Sequence, residues 1–239
     1  MFGSNSNLKE TPAWTRWFVY RTECTKPTWA FRLVLCGCVG VLLWLTRGFS
    51  VPAIGHSLVC NEEVGPADAL LVENFDPDYL LFERAETLYR AGLAPRVLVT
   101  TVRNSDGNEA RVQSAIAQLM ARMARLEKIE TVPLREIEPI SLNAANQIKD
   151  VLTTEHIKSV AVVASAFRST RSSLVYRAVL VRAGIAVSCV PVFGETTPES
   201  WASSWHGLQQ VTEQFLKLQY YRFYVLPLYG WKHSRSEDG

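Results

Sequence analysis

The feature that most constrains this chain is the alternation of short apolar runs with longer helical patterns after residue 68. Continuous runs such as 69–72 (ALLV) and 159–164 (SVAVVA) are typical of strands buried on both faces of a sheet. Because a helical stretch follows each run, successive strands are expected to be parallel, with helices on both faces. The sequence therefore predicts an α/β fold, a doubly wound and mostly parallel sheet of five strands.

The helix expected after the second strand has the clearest periodicity in the chain. Its large apolar side chains follow each other at intervals of four, three, four and three residues, and they are Val112, Ile116, Leu119, Met123 and Leu126. This spacing places them on one face of an α-helix. We expect that face to pack on the sheet.

A second constraint is the uncharged run 33–46 (LVLCGCVGVLLWLT), which lies between Arg32 and Arg47. The run is short for a membrane span, but the arginines can extend towards the lipid surface and Trp44 is typical of the membrane interface. We therefore expect an uncleaved transmembrane helix over 29–49. A cleaved signal peptide and a buried helix are the alternatives.

Basic residues predict the orientation of this anchor. Up to residue 32 the chain has Lys9, Arg16, Arg21, Lys26 and Arg32, whereas from 47 to 83 only Arg47 is basic apart from histidine. Because basic flanks remain in the cytoplasm, we expect a single-pass anchor with the C-terminal body outside the membrane. In a bacterium this location is the inner membrane, with the body in the periplasm. The predicted organisation is a cytoplasmic segment 1–28, the anchor 29–49, a linker 50–66, the α/β domain 67–231 and a flexible tail 232–239.

The five cysteines show no metal-binding pattern, and no metal or other cofactor is expected. In an oxidising periplasm Cys60 and Cys189 could form a disulfide, while Cys36 and Cys38 would lie in lipid. The alternative is that Cys60 and Cys189 are two unrelated buried thiols. The 25 basic residues nearly balance the 23 acidic ones, which argues against a nucleic-acid partner.

Polar residues after the strands form the candidate ligand site, because ligands of such sheets bind at the carboxyl ends of the strands. These residues are Asn74 after the first strand, Asn143 and Asn146 after the third, and Ser165, Arg168 and Arg171 after the fourth. Two arginines three residues apart at a helix start could hold a phosphate. They could equally form ion pairs or remain solvated. The usual nucleotide, serine-hydrolase and zinc-protease motifs are absent from the sequence.

Three blocks carry a resemblance to a known family: 84–95 (RAETLYRAGLAP), 141–146 (SLNAAN) and 162–171 (VVASAFRSTR). Together they resemble the SanA/ElyC/YdcF-like domain of bacterial envelope proteins, over residues 67–217. The resemblance implies a Rossmann-like fold, a membrane anchor, and a role in cell-envelope, cell-wall or exopolysaccharide biogenesis that involves a lipid carrier. It also adds Arg84 to the candidate ligand-binding residues.

The chain departs from the family pattern at several positions. Glycine-rich turns are replaced by 72–76 (VENFD) and 100–102 (TTV), the family glutamate by Ala145, and a family histidine by Arg168. Glycine allows a backbone to approach a ligand, and glutamate or histidine moves protons, so these losses argue against unchanged catalysis.

Two hypotheses follow, and the sequence leaves open whether the protein is an enzyme. In the first, the body binds a phosphate-bearing or saccharide ligand resembling a lipid carrier. In the second, it is a catalytically silent structural or interaction subunit of an envelope or polysaccharide assembly complex.

Overall fold

The computed structural model describes residues 29–62, 64–75, 78–103 and 107–237. The chain divides into two compact units, Met1–Arg47 and Gly48–Gly239. The segment 1–28, predicted to be cytoplasmic, lies outside the described residues.

Helix α1 spans Trp29–Leu58. The described residues contain no single helix that is long and apolar enough to cross a membrane. The consecutive segments 32–42 and 44–58, which are bent by 55°, meet the length and composition requirements together. Half of the predicted linker 50–66 is therefore helical, up to Leu58.

The body alternates strands and helices, as the sequence predicts. The elements in chain order are β1 Ala69–Val72, α2 Tyr79–Arg90, β2 Val97–Val102, α3 Gly107–Met123, β3 Glu130–Leu134, α4 Ile140–Thr154, β4 Ser159–Ser165, α5 Ala166–Leu180, β5 Ala186–Val192, α6 Trp205–Tyr220 and α7 Leu226–Glu237. A π-helical turn, Tyr221–Val225, joins α6 to α7. The backbone of the predicted flexible tail is thus helical as far as Glu237.

The five strands form one parallel sheet in the order β3-β2-β1-β4-β5, which confirms the predicted parallel α/β fold. Pro133 and Pro191 lie in β3 and β5, the two edge strands. Proline has no backbone N–H to donate to a neighbouring strand, and an edge strand tolerates this loss.

Apolar side chains on the two faces of the sheet build two cores. One core joins alternate residues of the strands, such as Leu71 and Val162, to α4 and α5. The other joins the intervening residues, such as Leu70 and Val163, to α2 and α3. Helices therefore cover both faces, which explains why the central strands are continuously apolar.

The predicted buried face of α3 is wrong at three of its five residues. Val112, Leu119 and Met123 are 57%, 52% and 62% exposed, whereas Ile116 is half-buried and Leu126, just after the helix, is buried. Instead, α3 itself buries Ala117 and Ala121. The small alanine side chains allow the helix axis to approach the sheet closely. The larger apolar residues are left on the outside of the helix.

A third, smaller core fixes the end of α1 to α6. Leu58 is buried with Val211 and Leu218, and the Trp201 indole N–H donates to the Val51 carbonyl at 2.9 Å. Pro198 lies so close to Gly55 that a Cβ atom there would stand 2.7 Å from its Cα. The segment 51–58 is therefore a packed part of the body.

Candidate functional site

The chain reverses its direction of strand addition between β1 and β4, which are neighbours in the sheet. The connections after these two strands lead to opposite faces, and such a reversal opens a crevice at the carboxyl edge. Glu73 and Asn74 follow β1, and Arg168 lies in the first turn of α5, directly after β4. These residues therefore meet where a ligand of a parallel sheet is usually found.

A buried ion pair occupies this reversal point. The Arg168 Nε atom lies 3.3 Å from Glu73 Oε2, and the two side chains are only 13% and 2% exposed. The Ser172 hydroxyl also donates to Glu73 Oε2, and the guanidinium lies 4.6 Å from the centre of the Phe75 ring. Arg168 thus points into the protein and balances a buried carboxylate.

Arg171 connects three helices. Its Nη1 donates to Ser141 Oγ at 2.7 Å, and its Nη2 donates to Gln214 Oε1 at 3.1 Å. Its guanidinium lies 5.5 Å from the centre of the Tyr221 ring, and the Tyr221 hydroxyl accepts a hydrogen bond from the Ser141 backbone. Arg171 is only 6% exposed, and its hydrogen bonds join α5 to α4 and α6.

Two more buried polar groups surround the ion pair. Burial, and then the negative charge of Glu73, raise the pKa of the Tyr176 phenol well above its ordinary value, so this group remains protonated. Asn74 is 1% exposed; its backbone N–H donates to Thr100 Oγ1, but neither polar atom of its side chain has a hydrogen-bond partner among the described residues.

A cleft of about 410 Å³ lies beside α4. Its lining is mainly apolar and aromatic and comes from α4, α6, the π-helical turn and α7: Pro139, Leu142, Asn143, Asn146, Tyr220, Tyr224, Val225, Leu228 and Tyr229. We call it the tyrosine cleft. The Tyr220 and Tyr224 rings stack with their centres 5.5 Å apart and form one wall.

The two asparagines are the polar groups of α4 in the tyrosine cleft. The Asn143 amide N–H donates to the carbonyls of Ile137 and Pro139, which leaves its carbonyl oxygen as an acceptor. Asn146 donates to the Leu142 carbonyl, and its Oδ1 accepts from the Tyr229 hydroxyl at 3.2 Å. Both asparagines are half-buried, and their local hydrogen bonds hold their side chains in place.

A second cavity of about 210 Å³ lies at the start of α5. Ser165 lines it together with Asp78, Glu195 and His206. The Asp78 carboxylate caps α2 by accepting from the Leu80 backbone N–H at 2.9 Å. Two carboxylates make this cavity unfavourable for a phosphate despite the adjacent helix start.

The structure therefore separates the residues that the sequence groups in one ligand site. Asn143 and Asn146 share the tyrosine cleft, whereas Ser165 lines the second cavity. The other four are Asn74, Arg168 and Arg171, which are buried or nearly so, and Arg84, which is exposed on α2. Arg168 pairs with Glu73 and Arg171 donates to Ser141, so the side chains of both arginines are directed inward.

The tyrosines of the cleft were missing from the predicted site. The signal available in the sequence was the crowding of aromatic residues in the last helix, which also contributes the apolar lining. Sequence spacing could not show that Tyr229 reaches Asn146, 83 residues away.

Cys60 and Cys189 form a disulfide, with their Cα atoms 6.4 Å apart. Cys189 in β5 is fully buried, and Cys60 is 8% exposed. Cys36 and Cys38 are free and exposed.

The described residues contain no group of three His, Cys, Asp or Glu side chains that could hold a metal ion. No protein-family model matches the chain, and no characterised protein is significantly similar to it in sequence.

Proposed function

We propose that this protein is a membrane-anchored α/β domain that binds a saccharide-bearing, lipid-carrier-like ligand in the tyrosine cleft. The biological role we propose is cell-envelope or exopolysaccharide biogenesis, as a divergent, Rossmann-like member of the SanA/ElyC/YdcF-like family. The observation that carries the proposal is the tyrosine cleft itself, which combines stacked aromatic rings with two positioned amides.

The chemistry of the tyrosine cleft suits an amphiphile with a sugar head. Ligand sites combine a mainly apolar lining with a few oriented polar groups. The C–H face of a sugar ring can stack on Tyr220 or Tyr224, while its hydroxyls can donate to the Asn143 carbonyl oxygen. Because Arg168 and Arg171 are occupied by protein groups, recognition of the saccharide carries more of the binding than recognition of a phosphate.

The surface of α1 supports the proposed anchor. The large apolar residues between 33 and 45 whose side chains are described are exposed around the helix, including Leu35, Val39 and Leu42 at 53%, 47% and 60%. A helix that is apolar on all sides is typical of a protein core or a membrane span. The Arg47 guanidinium lies over the Trp44 ring, as expected for residues at a lipid–water interface.

The proposed location is the bacterial inner membrane, with the N-terminus in the cytoplasm and the body in the periplasm. The excess of basic residues before residue 33 supports this orientation. The disulfide between Cys60 and Cys189 also favours an oxidising compartment.

Binding can be tested on the full chain in detergent micelles by calorimetry. The probes are a short polyprenyl phosphate that carries one sugar, the same lipid without the sugar, the free sugar, and inorganic phosphate. We expect the sugar-bearing lipid to bind tightest, and Asn143→Ala with Asn146→Ala to weaken its binding at least tenfold, about 1.4 kcal/mol.

The matched control is Asp150→Ala, an exposed change on the same helix, which should leave binding unchanged. Equal binding of all four probes, or no effect of the asparagine substitutions, would refute the proposed site.

A second candidate function is that of a catalytically silent interaction subunit. The exposed stripe of α3, formed by Val112, Leu119 and Met123, favours it because an apolar helix face in water often marks a protein interface. Serine substitutions of these three residues should dissociate a complex with an envelope protein and leave ligand binding unchanged. Loss of both properties together would contradict this candidate.

A further inference from the structure

The C-terminal helices carry a long exposed apolar surface. Its residues, with their exposed fractions, are Leu216 (63%), Tyr220 (48%), Phe223 (73%), Tyr224 (59%), Leu228 (49%) and Trp231 (62%). We call this surface the aromatic stripe. Three of its members, Tyr220, Tyr224 and Leu228, also line the tyrosine cleft, so the cleft opens at the stripe.

The aromatic stripe follows one side of a continuous helical segment. Apart from the neighbours Phe223 and Tyr224, its members recur every three or four residues, while the opposite side buries Val211, Leu218, Tyr221 and Val225. The π-helical turn Tyr221–Val225, which takes more residues per turn than an α-helix, lies in the middle of the stripe. From residue 216 to residue 231 the stripe is about 22 Å long.

The composition of the aromatic stripe matches a lipid–water interface. Tyrosine and tryptophan have an apolar body and a polar end, which places them at the level of lipid headgroups. The basic residues Lys217 and Arg222 stand beside the stripe and are exposed. Lys217 forms an ion pair with Glu213 on the same helix, and the Arg222 guanidinium lies 5.9 Å from the centre of the Phe223 ring. Cations on stems beside aromatic rings suit anionic phospholipid headgroups.

The path of the chain also selects a bilayer as the occupant of this surface. Residues 51–58, which follow the proposed anchor, are packed on the same helix that begins the aromatic stripe. Leu58 lies in one cluster with Val211 and Leu218 of α6, and Phe215 and Val51 pack against that cluster. The first packed residues of the body therefore lie on α6, the helix on which the aromatic stripe begins.

We propose that the aromatic stripe lies in the lipid–water interface, so that the tyrosine cleft opens at the membrane surface and receives its ligand directly from the bilayer. This inference rests on the membrane anchor of the proposed function. It adds a lipid-binding surface on the body and a route by which an amphiphile enters the cleft.

The test uses the full chain in vesicles of phosphatidylethanolamine and phosphatidylglycerol that contain a diazirine-bearing phospholipid. After irradiation, mass spectrometry locates the cross-linked residues. We expect labels at 33–46 and on the aromatic stripe, and none on α3. The exposed apolar residues of α3 are an internal control. Val112, Leu119 and Met123 are about as exposed as the members of the aromatic stripe, but α3 covers the other face of the sheet.

A variant with Phe223→Ser, Tyr224→Ser and Trp231→Ser should lose labelling of residues 216–231 to the level of α3, with labelling of 33–46 unchanged. The matched control, in which Val112 and Leu119 become serine, should label like the wild type. A thermal melt of each variant establishes that it is folded.

The outcomes separate this inference from the proposed function. If 33–46 is labelled and the aromatic stripe is not, the surface assignment is wrong although the anchor remains. If the labels are spread equally over the stripe and α3, the contact is nonspecific and the inference fails. If 33–46 is not labelled, the anchor is wrong and the inference fails with it. If the aromatic stripe takes up no lipid label because a copurifying protein covers it, the stripe is a protein interface and the inference is also wrong.

Discussion

The disulfide between Cys60 and Cys189 should provide a large part of the stability of the body. It connects the segment after α1 to the edge strand β5 across 129 positions of sequence. The perturbation is the double substitution Cys60→Ala and Cys189→Ala, which removes the bond and leaves no unpaired thiol at either site.

The size of the effect follows from the length of the closed loop. In the chain-entropy description, closing a loop of about 130 residues lowers the conformational entropy of the unfolded chain, which stabilises the folded body by about 5 kcal/mol at 25 °C. For a body of this size, each kcal/mol shifts the melting temperature by about 2–4 °C. The double variant should therefore melt about 10–20 °C below the wild type.

The assay is thermal unfolding of the full chain in detergent micelles, followed by near-UV circular dichroism. The wild type treated with a reductant after partial unfolding should melt like the double variant. The matched control is Cys36→Ala with Cys38→Ala, which removes two exposed free thiols and should leave the melting temperature unchanged.

Two results would refute this reasoning. One is a melting temperature of the double variant within about 3 °C of the wild type, because a loop of this length cannot contribute so little in the entropic description. The other is a peptide map, obtained without reduction, in which the Cys60 and Cys189 peptides are not linked.

Two further predictions concern carboxylates, one buried in an ion pair and one exposed and hydrogen-bonded. Glu73→Ala should destabilise the body by about 3–5 kcal/mol in urea unfolding, because Arg168 loses its carboxylate partner in a buried site. Glu73→Leu combined with Arg168→Met removes both charges and should recover most of this loss. A double variant as unstable as Glu73→Ala would contradict the buried ion pair. The backbone N–H of Lys158, and then the hydroxyl of Ser159, lower the pKa of Asp68 from 3.8, so its contribution to stability is present above that pH and is lost as the pH falls through the lowered value. In Asp68→Asn, the free energy of unfolding should therefore fall less steeply as the pH is lowered in the acid range. An unchanged pH dependence would show that Asp68 does not contribute to it.

The strands could be located from the sequence because the cause of their pattern is local. A central strand of a parallel sheet is buried on both faces, and it therefore appears as a continuous apolar run, as in 69–72 and 159–164. Pro133 and Pro191 follow a second local rule: proline lacks the backbone N–H that a central strand needs, and the strands that contain these two prolines lie at the edges. The number of strands and their parallel arrangement followed from these runs.

The buried face of α3 was decided by packing distance. Periodicity finds the stripe with the largest apolar side chains, but the sheet accepted the alanine face, which allows closer approach. Hydrophobicity along the chain does not report which face has a partner in space. As a result, the sequence identified an amphipathic helix and assigned its partner to the wrong side.

The candidate site was decided almost entirely by the tertiary structure. Sequence placed Asn143, Asn146, Arg168 and Arg171 at the correct edge of the sheet, because loops after parallel strands meet there. It could not give the direction of the Arg168 side chain, which depends on the carboxylate of Glu73, 95 positions away in the sequence. Long side chains pair with whichever opposite charge shares their buried environment, and only the packed fold brings those charges together.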